Sequence, residues 1–225
     1  MLIGIPHYNN VEGLKMCVNS FLAYTEYRDI ELVIANADRK ATKEIQDYLK
    51  GFEKEFKVVQ LEIENVNPLH AYNILFNYAR DKKEGILLTQ TDVYFPKTVK
   101  DWIHGLLALI KLPDAGQITC WGGGGISGTD FLDGFPWVGA WFNYVTYTAL
   151  QKVGNYDNAI PIGWGVDVDY SYGVFKVGLK NYIFDYWVQH MPNYKEGHDW
   201  EKRNDIEKIK KEAYKYMRTK WNLGD

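Results

Sequence analysis

Apolar and polar positions alternate between two periods along the first half of the chain. Residues 2–6 form a short apolar run that ends in the polar loop Pro6-His-Tyr-Asn-Asn10. Leu14, Val18, Phe21 and Leu22 then recur at helical spacing. Residues 31–35 predict a second buried strand, closed by Asn36-Ala-Asp38, and Ile45, Leu49 and Phe52 a second helix. Residues 57–63 predict a third strand. Asn67-Pro68 suits a helix start, with Asn as N-cap and Pro at the first helical position, and Leu75, Tyr78 and Ala79 share one face of that helix. The stretch Gly85-Ile-Leu-Leu-Thr-Gln-Thr-Asp-Val-Tyr-Phe-Pro96 follows: an apolar run bounded by Gly and Pro, which predicts a central strand of a parallel sheet. Beyond Pro96, Val99, Ile103, Leu106, Leu107 and Ile110 keep helical spacing, and residues 117–121 predict another strand. Strand alternating with helix predicts an α/β fold, with a mostly parallel sheet flanked by helices on both faces.

The second half changes character. Trp121-Gly-Gly-Gly-Gly-Ile-Ser-Gly128 allows close backbone approach, as a lid over a phosphate or as a plain connection. It lacks the spacing of a Walker or dinucleotide fingerprint. Residues 143–153 predict a helix stopped by Gly154, and Gly163-Trp-Gly-Val-Asp-Val-Asp169 leads into a helix ending near Gly178. Residues 182–188 predict a strand that runs into His190. Residues 199–221 predict a charged helix with the apolar stripe Ile206, Ile209, Ala213 and Met217. Its interspersed acidic residues favour a solvated face docked on the core. Its basic residues leave peripheral contact with an anionic membrane as the alternative.

Three predicted strands end in loops carrying Asn or Asp: Asn9/Asn10, Asn36/Asp38 and Asp92. In open α/β sheets, ligands bind beyond the carboxyl ends of the strands, so the three together predict a shared crevice. Along an extended chain Gln90 and Asp92 would point the same way, and a carboxylate there can hold a hard cation that in turn holds a phosphate. A strand-end Asp can equally cap a turn or helix. The net charge of −3 gives no support for general nucleic-acid affinity. The 8 Trp, 17 Tyr and 10 Phe, dense between residues 121 and 200, suit core packing and also flat platforms for sugars. Cys17 and Cys120 predict buried thiols and a reducing, cytoplasmic setting. No stretch reads as a signal peptide or membrane span.

Taken in order, these stretches resemble the GT-A fold nucleotide-sugar glycosyltransferases, in particular glycosyltransferase family two. Ile3-Gly-Ile-Pro-His-Tyr-Asn-Asn10 is similar to the family's first strand and loop, and Glu31-Leu-Val-Ile-Ala-Asn-Ala-Asp38 to its second strand and acidic turn. Ile86-Leu-Leu-Thr-Gln-Thr-Asp-Val93 resembles the strand with the D-x-D motif. Trp164-Gly-Val-Asp-Val-Asp169 resembles the acceptor-side motif with the catalytic base, and Val188-Gln-His190 the late histidine of the metal site. Gln90 replaces the first Asp of D-x-D, Asn36 stands where Asp is usual, and Gly173 lies near the place of a missing Arg. The resemblance implies a single GT-A domain over residues 1–195, with a nucleotide-binding half (1–120) and an acceptor-side half (121–195). The charged helix of 196–225 follows.

The resemblance further implies an inverting, metal-dependent transfer of a sugar from a UDP- or GDP-sugar to a glycan or other hydroxyl. Asp92 and His190, with His198 as substitute, would hold Mn²⁺ or Mg²⁺, the imidazole favouring Mn²⁺. Pro6, His7, Tyr8, Asn9, Asn36, Asp38, Asn73, Gln90 and Thr91 would line the donor side. Trp137, Trp164, Gly165 and Asp169 would line the acceptor side, and Asp167 would serve as base, Asp169 otherwise capping or bracing its helix. Two rivals remain at this level: a catalytically impaired sugar-nucleotide or carbohydrate-binding protein of the same fold, and a nucleotidyltransferase. The latter typically has a Gly-rich, basic phosphate loop near the N-terminus, unlike Pro6-His-Tyr-Asn-Asn10.

Overall fold

The computed structural model describes residues 1–26, 29–53, 57–62, 68–97, 102–121, 137–161, 165–191 and 205–223. Asn67, the loop 122–128, Trp164 and His198 lie outside the described residues. The first half alternates as the periodicity predicts: β1 (Leu2–His7), α1 (Val11–Tyr24), β2 (Glu31–Asn36), α2 (Thr42–Leu49), β3 (Lys57–Glu62), α3 (Pro68–Lys82) and β4 (Ile86–Thr89). A short ribbon strand β5 (Val93–Tyr94), α4 (Trp102–Ile110) and β6 (Ala115–Trp121) follow. The rest comprises β7 (Phe142–Val145), α5 (Tyr147–Lys152), α6 (Val166–Lys176), β8 (Lys180–Trp187), β9 (Gln189–His190) and α7 (Ile206–Trp221).

One seven-stranded sheet runs in the order β3-β2-β1-β4-β7-β6-β8. β3, β2, β1 and β4 pair in parallel, β7 runs antiparallel to both β4 and β6, and β6 pairs in parallel with β8. Only β7 is reversed in this sheet, so the architecture is the mostly parallel GT-A type. β4 is thus not flanked by parallel neighbours on both sides, as its apolar run suggested: it marks the reversal. β7 also corrects the expected helix over 143–153. Phe142 to Val145 are all buried between two strands, and the helix begins only after Thr146, whose hydroxyl caps it by accepting from Ala149 N–H at 3.2 Å. Gly154 stops it with φ +89, as expected.

Side chains divide between the two faces by strand parity. Ile3, Ile5, Leu87, Phe142 and Tyr144 join α1, α2 and α4 in one core; Leu2, Leu88 and Val145 join α3, α5, α6 and α7 in the other. In α7, Ala213 and Met217 are buried in the second core and Ile209 is buried as well, so these stripe residues are used within the fold. Asp205 begins that helix, accepting from Lys208 N–H at 3.1 Å. Among the described residues, no helix is long and apolar enough to cross a membrane.

Candidate active site

The carboxyl ends of β1, β2 and β4 open on one edge of the sheet. Reversed β7 brings its amino end, and the segment 137–141 before it, to the same edge. At the end of β1, His7 is buried and its Nδ1 lies 2.9 Å from Asn36 Oδ1. Its Nε2 accepts from Asn10 N–H at 3.4 Å, which fixes Nδ1 as the donor. Burial lowers the His7 pKa against the pull of Asn36, so the ring is neutral at physiological pH. Asn36 is fully buried. Its Oδ1 also accepts from Asp38 N–H at 3.0 Å, and its Nδ2 donates to Asp38 O and Thr42 Oγ1, each at 3.1 Å, and to the Glu62 carboxylate at 3.4 Å. The sequence expected donor contacts at His7 and Asn36; in the fold their side chains tie two loops together. Their polar groups are already satisfied inside the protein. Tyr8, 57% exposed, and Asn9, with φ +50, face outward beside half-buried Pro6 and Asp38.

At the end of β4 the chain turns instead of extending. Gln90 N–H donates to Trp141 O at 3.2 Å, and Val93 N–H returns to Gln90 O at 3.2 Å. The turn separates Gln90 from Asp92, which an extended chain would have aligned. Gln90 Nε2 donates to Tyr72 Oη at 2.6 Å, and half-buried Thr91 and Asp92 occupy the turn. The β5–β9 ribbon pairs Val93 with His190, and Met191 N–H donates to Asp92 O at 2.8 Å. This places Asp92 Oδ2 3.2 Å from His190 Nε2, and the Trp141 ring packs on the imidazole at 4.6 Å. Although close, His190 Nε2 makes no hydrogen bond, and neither does buried Asp92 Oδ1.

Among the described residues, no three His, Cys, Asp or Glu side chains converge as a ready-made metal cage. Two buried ligand atoms without hydrogen-bond partners, one carboxylate and one imidazole, nevertheless fit a cation that takes its other ligands from a diphosphate or water.

A second carboxylate stands at the start of α6. Gly165 takes φ +79 at the N-cap, and Asp167 Oδ1 accepts from Val168 N–H at 3.0 Å. Burial pushes the Asp167 carboxyl up to about 6, while backbone N–H groups of Val168, Asp167 and Ala140 pull it back. Tyr72 links the two sides: its pKa is raised by burial first, then by the charges of both Asp92 and Asp167. Tyr156, packed edge-on against Tyr72 at 5.5 Å between ring centroids, also feels Asp167.

Two more of the expected site residues have partners within the fold. Asn73, expected on the donor side, donates from Nδ2 to Tyr156 O at 3.0 Å and Asn158 Oδ1 at 3.1 Å, and its Oδ1 accepts from Tyr156 N–H at 2.8 Å. Asp169, expected on the acceptor side or as a brace, is buried and accepts from Lys220 Nζ at 2.7 Å and Trp221 Nε1 at 2.8 Å. Residues two apart on a helix diverge, so Asp169 braces while Asp167 turns away from it. Trp137 is half-buried against the α3 and α6 side of the core.

Tyr72, Trp141 and the Lys220–Trp221 tie were not singled out from sequence. Only Trp141, within the aromatic-rich stretch, carried a signal.

A family model described as glycosyl transferase family 2 matches residues 2–165. No curated protein sequence matches the chain. Among solved structures, the mannosyltransferase PcManGT from Pyrobaculum calidifontis, in complex with GDP-Man and Mn²⁺, aligns with TM-score 0.66 and 13% identity, over 88% of this chain and 59% of its own. GalNAc-T7 with UDP, GalNAc and Mn²⁺ aligns with TM-score 0.68 and 14% identity, over 87% and 43%. A protein designated a glucose-1-phosphate thymidylyltransferase, from Bacillus anthracis and in complex with a sucrose, aligns with TM-score 0.55 and 8% identity, over 95% and 96%. This chain thus spans about three-fifths or less of the two glycosyltransferase structures.

Proposed function

Because the chain belongs to glycosyl transferase family 2, we propose that it moves a sugar from a nucleoside diphosphate sugar to an acceptor hydroxyl, with inversion at the anomeric carbon. The observation that carries this reading is the pairing of Asp92 and His190, with Asp92 Oδ1 and His190 Nε2 each buried without a hydrogen bond, beside a burial-raised Asp167 linked to them through Tyr72. Asp92 and His190 would hold Mn²⁺ or Mg²⁺, which neutralises charge on the departing diphosphate. The GDP-Man, UDP and Mn²⁺ of the two glycosyltransferase structures support a GDP- or UDP-sugar and favour Mn²⁺.

Within this reading, Pro6, Tyr8, Asn9 and Asp38 meet the base and ribose, held in place by His7 and Asn36. Gln90 acts through Tyr72, orienting its hydroxyl between the two sides. Asp167 accepts the proton of the attacking acceptor hydroxyl. Its raised pKa makes it a stronger base than an ordinary aspartate, yet leaves it about nine-tenths ionised at pH 7. Attack from the Asp167 side, opposite the departing diphosphate, accounts for inversion. Trp137 and Trp164 supply apolar walls for a glycan or other hydroxyl acceptor. The buried thiols Cys17 and Cys120, neither in a disulfide, suit a reducing compartment. With Ile209, Ala213 and Met217 of α7 buried, a membrane contact would rest on its basic residues.

The nucleotidyltransferase reading draws on the thymidylyltransferase-like structure. The family match and the absence of a Gly-rich, basic first loop in Pro6-His-Tyr-Asn-Asn10 favour sugar transfer.

Thermal unfolding with a panel of UDP- and GDP-sugars, with and without Mn²⁺, tests the reading. A donor at a hundred times its Kd stabilises by about 2.7 kcal/mol. The expected stabilisation needs Mn²⁺ and disappears in Asp92→Asn. Equal Mn²⁺-dependent stabilisation of wild type and Asp92→Asn would misplace the metal. Slow hydrolysis of the stabilising donor by wild type would separate an enzyme from an impaired binding protein.

A further inference from the structure

The helix α6 offers one face to α7 and another to the crevice. Gly165, Asp169, Tyr172 and Gly173 lie at helical spacing along the first face. A Cβ on Gly165 would come within 3.0 Å of Met217 Cε, which is where α7 crosses the start of α6. One turn on, Asp169 receives Lys220 Nζ at 2.7 Å and Trp221 Nε1 at 2.8 Å. Further along, the Trp221 ring packs edge-on against Tyr172 at 5.1 Å and passes beside Gly173. At 3.6 residues per turn, Asp167 stands about 200° from Asp169, on the opposite side of the helix.

Lys220 also ties α7 to the segment before α6. Its Nζ lies 2.9 Å from Asp157 Oδ2, which also accepts from Tyr216 Oη at 2.8 Å. Asn73 of α3 holds the same segment through both backbone groups of Tyr156. Burial works against the Lys220 charge, but its two carboxylate partners outweigh it and raise its pKa.

We propose that Lys220 and Trp221 are positioning residues for Asp167, gripping the far face of α6 so that the carboxylate is held at the crevice and shielded from water. This rests on the reading of Asp167 as the base. The Asp167 charge acts on Tyr72 of α3 and Tyr156 of the segment before α6, and the backbone N–H groups of Val168, Asp167 and Ala140 stabilise its carboxylate. Among the described residues none of these belongs to α7, so α7 acts through the helix.

The test uses the full chain with ¹³C-labelled aspartate, the Asp167 carboxyl signal being identified by its loss in Asp167→Asn. In wild type it should titrate near 6. In Lys220→Met the midpoint should fall by about one pH unit or more towards the ordinary aspartate value near 3.9 as water gains access. Lys220→Arg, which keeps the charge, should stay close to wild type. Hydrolysis of UDP-N-acetylglucosamine and GDP-mannose in Mn²⁺ should fall roughly 10- to 100-fold in kcat for Lys220→Met, with KM unchanged. If Lys220→Met does not fold, Trp221→Phe, which removes the indole donor and keeps a ring against Tyr172, should show the same changes to a smaller degree.

A folded variant with an unchanged midpoint and unchanged turnover overturns the proposal. So does a loss of turnover matched by weaker donor binding, which is the mark of a merely structural tie. Full turnover in Asp167→Asn would instead sink the base reading, leaving the titration result standing.

Discussion

Replacing Asp167 by Asn should make the protein more stable and nearly inactive at once. The folded protein raises this carboxyl from 3.8 to about 6, chiefly by burial. At about 1.4 kcal/mol per pH unit, ionising it in the fold costs up to about 3 kcal/mol more than ionising it in the unfolded chain. A raised pKa on an acid means that the folded chain holds the proton longer. Its contribution to stability is complete below the ordinary aspartate range and is lost as pH rises through about 6. Asn is neutral at every pH, and its Oδ1 can still accept from Val168 N–H. The variant should therefore gain about 1–3 kcal/mol at pH 7–8 and almost nothing below about pH 4. At about 2–4 °C per kcal/mol for a chain of this size, the gain is readable as a higher Tm. Turnover should fall about 10²- to 10⁴-fold, the usual contribution of a general base, with donor affinity nearly unchanged. The wild-type kcat/KM should lose activity on the acid side with a midpoint near 6. Denaturant unfolding at pH 4 and pH 8, beside donor hydrolysis or transfer, measures both halves. A variant less stable than wild type at pH 8, or a stability difference independent of pH, would refute the desolvation argument. Full turnover would refute the catalytic one.

Two further outcomes follow from the hydrogen bonds around the crevice. Asn36→Asp restores the residue usual in this turn but sets a carboxylate against that of Glu62, 3.4 Å from the present amide. It should cost about 1–3 kcal/mol in denaturant unfolding; adding Glu62→Gln should recover most of this, and an unaltered single variant would show that the amide donor is not needed. Asn73→Ala leaves both backbone groups of Tyr156 short of a partner. It should lower stability by about 1–3 kcal/mol while calorimetric nucleotide affinity stays the same; a loss of affinity without a loss of stability would return Asn73 to the donor side.

How much could be read from the sequence depended on how local the cause was. β1, β2 and β4 are apolar runs cut off by polar residues, and both signals lie within a few positions. The reversal at β7 is not local. Asn143-Tyr-Val-Thr-Tyr-Thr-Ala-Leu fits either period, and pairing with β4 and β6 decides it. The ribbon that brings His190 to Asp92 is two residues long on each side, below any periodic signal. Asp92 and His190 were singled out through their order in a family pattern and are brought together by long-range pairing. Asp167 and Asp169 could be told apart as diverging on a helix, but the partners that make Asp169 a brace lie 51 and 52 residues further on. His7 and Asn36 were rightly placed at strand ends. Their hydrogen bonds to neighbouring loops were not legible, because a side chain at a strand end can face a ligand or a loop, and the sequence does not distinguish the two.

The reversal at β4 also bears on how the chain is made. β4 gains its first partner from β1, already synthesised, but its second, β7, leaves the ribosome about fifty residues later. During that interval Ile86, Leu87, Leu88 and Thr89, all buried in the finished fold, border an open strand edge. An unpaired apolar edge of this kind is where growing chains stick to one another. Slowing synthesis between β4 and β7 would lengthen that exposure and lower the yield of soluble protein, whereas the same delay after β7 would not.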